Sequence, residues 1–189
     1  MNKTLLSAAL VATLGALAVV PAAKAAPATG NGTAIDGTIT INGQVVANTC
    51  TVAVNGGSNT GTVALKPAPT SALATTGSTY GDMPFTIAVT GCDSSLNGKS
   101  VLPYWSGAQV NSNGRLRNTG TATNVDLQLL NQDDLTPIAL NAPEGGQGTT
   151  GATVASGAAT MTYYARYYAT GAATAGPVTS TVNYTLIYQ

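Results

Sequence analysis

The sequence contains no histidine, and only 7% of its 189 residues carry a side-chain charge. Histidine is the commonest general base and metal ligand at neutral pH, so its absence removes the simplest hydrolytic and metal-centred chemistries. The charge content lies far below the ~25% of ordinary soluble domains. No run of lysine or arginine offers a patch for nucleic acid or anionic lipid, so neither is expected as a partner. There is one Trp, one Phe and two Cys. Two cysteines cannot make a multiply bridged scaffold or an all-cysteine zinc site. Helical periodicity is hard to find beyond the first residues.

The remaining candidates for chemistry are few. Asp133-Asp134 is the one adjacent acidic pair, and it precedes Thr136-Pro137 in a turn-like stretch. Paired carboxylates serve glycoside hydrolysis, but a solvated turn explains these two. Lys66 and Lys99 sit among loop signals without a Ser-x-x-Lys context. The glycine-rich stretches do not join a strand to a helix, so no phosphate cradle is expected. Two Asn-x-Thr triplets, at Asn31 and Asn183, match a pattern that occurs often by chance. No catalytic residue, cofactor or metal site is expected, and the chain does not read as an enzyme.

What is present begins with an address. Lys3 precedes an uncharged apolar run, Leu5 to Val20, and Ala23-Lys24-Ala25 has the small-x-small form of a cleavage site. The run is shorter than the ~20 residues of a membrane span. Residues 1–25 are therefore expected to be a signal peptide, and the mature chain is not expected to insert into a membrane. Removing 25 residues from 189 leaves 164, enough for one domain with a core. Lys3 and Lys24 leave with the leader, so five basic residues face seven acidic ones, a net of −2. With export expected, Cys50 and Cys92 read as one disulfide by default. A metal pair is the alternative, without histidine to complete it.

Short runs with a period of two predict strands at Gln44–Val54, Thr62–Leu65, Met83–Thr90, Val101–Ser106, Val125–Leu130, Thr160–Ala169 and Val178–Tyr188. Turn-rich stretches at 55–59, 111–114 and 144–148 separate them. About seven strands so spaced predict an all-β sandwich. Segment 68–79 is read as a short helix or none. Phe85, Ile87 and Val89 are expected in the core, as are Val125, Leu127 and Leu129. In Tyr163-Tyr164-Ala165-Arg166-Tyr167-Tyr168, alternation must expose some rings.

Two alternating stretches stand at opposite ends. Ile35, Gly37, Ile39 and Ile41 alternate with polar residues, flanked by the small polar segment 26–33 and by Asn42-Gly43. Val182, Tyr184, Leu186 and Tyr188 alternate just before Gln189. An apolar strand at a sheet edge needs a neighbour, and a detached apolar strand can supply one to another copy. The pattern points to a subunit that polymerises.

The order of several short motifs then resembles the major pilins of chaperone–usher fimbriae, close to the type 1 fimbrial major subunit. They are Gly37-Thr38-Ile39-Thr40-Ile41-Asn42-Gly43-Gln44-Val45-Val46 leading to Cys50, then Gly91-Cys92-Asp93, Ala122-Thr123-Asn124-Val125, Ala165-Arg166-Tyr167-Tyr168-Ala169-Thr170-Gly171, and Tyr184-Thr185-Leu186-Ile187-Tyr188-Gln189. The resemblance implies an incomplete immunoglobulin-like sandwich that lacks its final strand and is completed by a donor strand from another subunit. It implies a donor strand with Ile35, Gly37, Ile39 and Ile41 in an N-terminal extension, residues 26–43. It implies a pilin domain, residues 44–189, whose acceptor groove and chaperone edge hold Val182, Tyr184, Leu186 and Tyr188. The implied partners are copies of itself and other pilins, a periplasmic chaperone and an outer-membrane usher. The implied destination is a surface filament used in adhesion, reached through the periplasm. The readings set against it are a minor or adaptor pilin of the same system, and a free secreted β-sandwich that binds carbohydrate.

Overall fold

The computed structural model describes residues 50–189, and these form strands with almost no helix. The strands, in chain order, are β1 (Thr51–Val54), β2 (Thr79–Thr90), β3 (Ser100–Ser106), β4 (Leu116–Arg117), β5 (Val125–Asn131), β6 (Ala152–Thr153), β7 (Ala159–Ala169) and β8 (Asn183–Tyr188). One sheet runs β1-β2-β7-β5-β4 and the other β6-β3-β8, and every pairing within them is antiparallel. Single 3-10 turns occur at Thr70–Leu73 and Ser94–Leu96.

Alternation decides which side chains meet between the sheets. On β2, Phe85, Ile87 and Val89 are buried; on β7, Met161, Tyr163 and Ala165; on β3, Val101 and Trp105. Phe85, Trp105 and Tyr163 form a ring cluster with centroids 5.5–6.1 Å apart. Edge-on contacts of this kind add to the apolar burial. The tyrosine run splits as alternation requires, with Tyr163 buried and Tyr164 and Tyr168 half-buried on the outer face. There the Arg115 guanidinium stacks 3.9 Å from the Tyr168 ring centroid and pairs with Asp126. Leu129 is buried and Leu127 half-buried in the same core, while Val125 joins a smaller cluster with Leu73, Ala122 and Ala169.

Cys50 and Cys92 form a disulfide across a separation of 42 residues. It ties the start of β1 to the segment after β2, beside the Thr51–Thr90 register pair. The turn after β1 uses Asn55 and Gly56, both at positive φ. The Asn55 carboxamide oxygen accepts from the Thr86 N–H at 2.9 Å, so this side chain extends the sheet ladder by one position.

Part of one expected strand lies outside the described residues, two others change, and β2 begins at Thr79 rather than Met83. Residues 44–49 of the first expected strand lie outside the described residues; β1 occupies Thr51–Val54. Thr62–Leu65 is not a strand. Val63 and Leu65 do pack against the core, yet among the described residues no backbone hydrogen bond reaches segment 61–68, and a ladder is what makes a strand. Pro67 also removes one donor from that segment. The last strand starts at Asn183 rather than Val178, because the backbone before it is engaged by a loop: Thr119 N–H donates to the Thr179 carbonyl at 2.8 Å, and Thr179 N–H donates to Asn118 Oδ1 at 2.8 Å.

Candidate assembly site

The three-stranded sheet is the incomplete half of the sandwich. Its central strand, β3, has different neighbours on its two flanks. On one flank β6 pairs only with Ser100 and Val101. Beyond them, the buried Gln147 side chain takes over. Its Oε1 accepts from Trp105 N–H at 2.9 Å, and its Nε2 donates to the Trp105 carbonyl at 2.7 Å and to the Leu140 carbonyl at 2.9 Å. A primary amide carries the same donor and acceptor as a peptide group, so it substitutes for one residue of a strand. Pro103 sits between these two supports, two residues from Trp105, so its missing N–H falls on the same flank. That placement leaves the ladder to β8 intact.

On the other flank β3 pairs with β8 along its whole length, from Ser106–Asn183 to Val101–Tyr188. Ser100 and Gln189 exchange both backbone hydrogen bonds, at 3.0 and 2.9 Å. Antiparallel ladders alternate, so Ile187, Thr185 and Asn183 also bond to β3, and the backbone groups of Tyr184 and Leu186 point away from it. Among the described residues no strand pairs with that outer edge. Side-chain alternation follows the same rhythm: Val182, Tyr184, Leu186 and Tyr188 are half-buried against the main core, and Asn183 and Thr185 face solvent. The edge thus combines an outward row of peptide groups with an apolar floor.

Tyr184 fixes one end of this edge. Its ring lies 6.1 Å from the Trp105 ring, and its hydroxyl donates to the Asn59 carbonyl at 2.7 Å. Burial holds the phenol above its ordinary pKa. Asn59 begins the extended, unladdered segment that carries Val63 and Leu65. Two apolar stretches therefore converge at Tyr184, and neither Tyr184 and Leu186 on β8 nor segment 61–68 has its outer backbone groups paired among the described residues. Sequence patterning found β8. It did not find Gln147, whose role depends on a loop 42 residues away from Trp105. Of the other residues with an expected role, Ile35, Gly37, Ile39 and Ile41 lie outside the described residues. The described residues contain no cluster of metal-ligating side chains.

An all-β sandwich with one apolar edge short of a strand is the architecture of an immunoglobulin-like assembly subunit. Two solved structures share the fold: that of a chaperone–usher pilus, TM-score 0.58 at 22% identity over 87% of this chain and 100% of that one, and the P pilus rod subunit PapA, TM-score 0.57 at 18% identity over 75% and 99%. The sequence model of the family described as type-1 fimbrial protein, A, matches residues 65–189. The chain is 42% identical over 173 residues to the major fimbrial subunit SMF-1 of Stenotrophomonas maltophilia, covering 87% of this chain and 98% of that protein. It is 40% identical over 162 residues to the F17 fimbrial protein of Escherichia coli, covering 82% and 89%. The chain belongs to the type-1 fimbrial protein family. It is a structural pilin, an extracellular component that assembles with other pilins into a fimbria.

Proposed function

We propose that this pilin polymerises by donor-strand exchange through the outer edge of β8. The observation that carries the proposal is that edge itself: the backbone of Tyr184 and Leu186 is turned outward over an apolar floor, with no described strand beside it. An extended strand that adds to such an edge gains ladder hydrogen bonds from its backbone and specificity from alternate side chains, as in chaperone–pilin complementation. Residues 35–41 have the required pattern. Ile35, Ile39 and Ile41 fill apolar positions at ~1.5–3 kcal/mol each before ordering costs. Gly37 meets a position where a side chain has no room. The donor runs antiparallel to β8, the more stable pairing, so Ile41 lies toward Val182 and Ile35 toward Tyr188.

The route to the filament follows. Residues 1–25 direct export and are removed. A periplasmic chaperone covers the β8 edge until the outer-membrane usher brings in the next subunit's extension, residues 26–43. The 44–189 domain is then sealed by a strand it does not encode in place. The test is Gly37→Trp, expressed with the chaperone and usher. Soluble chaperone complex without SDS-resistant, heat-labile ladders is the expected result. Normal fimbriae from this variant would sink the donor assignment.

A further inference from the structure

The sandwich has two unlike poles. The disulfide pole holds Cys50, the end of β2 at Thr90, the start of β3 and the start of β7. The opposite pole holds the start of β2, the end of β7, the start of β5 and the start of β8, as the Thr79–Tyr168, Val125–Ala169 and Ser106–Asn183 pairs require.

At the opposite pole lies an open cleft of about 320 Å³. Leu65, Leu73, Ala122, Val125, Tyr167 and Val178 supply its apolar lining. Its rim is firmly built. Ala122 N–H donates to the Pro177 carbonyl, and Thr123 N–H donates to Thr174 Oγ1 at 2.8 Å. A Cβ at Gly120 would collide with the Pro177 carbonyl. Lys66, exposed beside Leu65, has no ion-pair partner among the described residues.

Beyond the end of β5, toward the disulfide pole, the turn Asp133-Asp134-Leu135 projects a complementary feature. Leu135 is 37% exposed, one of two large apolar side chains so exposed among the described residues. It stands at φ 54°, in the left-handed region. Asn55 and Asn124 share that region at little cost, but for a bulky apolar residue it is strained. Strain of this kind persists only where the surroundings hold it, and it is common at functional positions. The turn is held by Thr136 N–H donating to Asp134 Oδ1 at 3.0 Å. Two carboxylates, Asp133 and Asp134, precede the leucine. The length of β5, seven residues at ~3.4 Å each, separates knob from cleft.

We infer that Leu135 of one copy seats in the cleft of the neighbouring copy in the filament, with Asp133 and Asp134 against that copy's Lys66. The inference rests on the antiparallel donor reading above. In that reading the donated strand leaves its own body through Cys50, at the disulfide pole, and its Ile41 end emerges from the recipient near Val182, at the opposite pole. Nine residue steps from Ile41 to Cys50 span at most about 30 Å. A tether of that length lets the donor's Leu135 pole reach the recipient's cleft. A knob on one pole and a hole on the other make a heterologous contact, which propagates along a filament rather than closing on itself. The second copy, rather than a small apolar molecule, is the occupant because the acidic flank matches Lys66 and the short link brings the two poles together.

The experiment is cross-linking in assembled fimbriae. The described cysteines are both in the disulfide, so new thiols report cleanly. Fimbriae carrying both Leu135→Cys and Ala175→Cys, at the knob and the cleft rim, are oxidised, boiled in SDS without reductant and resolved. A covalent ladder beyond dimer that collapses with reductant is expected. Either single variant should give dimers at most. Absence of that ladder from fimbriae, or linkage of Ala175→Cys to a different protein, would overturn the contact. Unboiled samples keep the two readings separate: loss of the heat-labile ladder in the parent protein refutes strand donation, whereas loss of the boiled ladder alone refutes the knob. Should the double variant fail to assemble, Leu135→Ser decides instead. It should keep the heat-labile ladder and lose rod stiffness in electron micrographs, and unchanged stiffness would reject the inference.

Discussion

The two flanks of β3 solve the same problem in opposite ways. On the β6 side, the chain closes its own ladder with two strand residues and the carboxamide of Gln147. On the β8 side, the chain builds a full six-residue strand and then supplies no described neighbour for its outer edge. A side chain can replace one peptide group, because it brings one donor pair and one acceptor. It cannot replace a row of peptide groups together with the apolar side chains that would cover the floor. The first flank is finished within the molecule, and the second has no described strand on its outer edge. Ordinary sandwiches protect such edges with charge, bulges or short strands. Here the edge keeps apolar residues packed against the core.

This contrast can be broken at several points. The largest effect is expected from deleting Tyr188 and Gln189, which removes the end of the β8 ladder, including the paired backbone bonds between Gln189 and Ser100. Co-purification with the chaperone should fall to a small fraction, and unchanged recovery would count against β8 as the capture edge. Next is Cys50→Ser with Cys92→Ser. Loss of a native bridge from an exported domain typically costs ~2–5 kcal/mol, read as a lower urea midpoint of the assembled or chaperone-held protein. Gln147→Leu probes the closed flank alone. It strands the buried N–H and C=O of Trp105 and the Leu140 carbonyl, and each unpaired group costs ~1–3 kcal/mol. A drop of about 3 kcal/mol in stability, with strand exchange retained, is expected. A variant that loses polymerisation but not stability would show that the two flanks are not separate.

Smaller still is Tyr184→Phe, which removes the hydrogen bond to the Asn59 carbonyl and should cost about 1 kcal/mol. Alkaline titration gives the last measurement. Burial raises the phenols of Tyr163 and Tyr184 above their ordinary value of 10.0. The unfolded chain therefore ionises first. Stability from these groups is complete below that value and is lost as pH rises toward the folded-state values. Urea midpoints should fall above about pH 10, and less steeply in Tyr163→Phe. An unchanged slope in that variant would place the alkaline loss elsewhere.

The strands that carry the core were legible because alternation of large apolar residues is a local signal. Phe85, Ile87 and Val89 announce β2, and Leu186 and Tyr188 announce β8, before any partner is known. The two-residue strands Leu116–Arg117 and Ala152–Thr153 were not legible, since two residues have no period. Thr62–Leu65 misled for the opposite reason. Its alternation is real and its side chains are placed accordingly, but alternation reports which face is buried, not whether a ladder exists. The start of the last strand shifted because Asn118 and Thr119, some 60 residues earlier, bond the Thr179 backbone.

By itself the sequence determined the class of structure and the shape of its need. Period-two patterning dictates strands, and the apolar alternation at residues 182–188 gives the last strand one face for the core. Those are properties of neighbouring residues, set by backbone geometry and burial. Tertiary structure alone decided which flank of β3 the chain closes for itself, that Tyr184 reaches Asn59, and that Leu135 and the cleft stand toward opposite poles. Each of these depends on residues brought together from distant positions, where register and loop path, not local pattern, fix the contact.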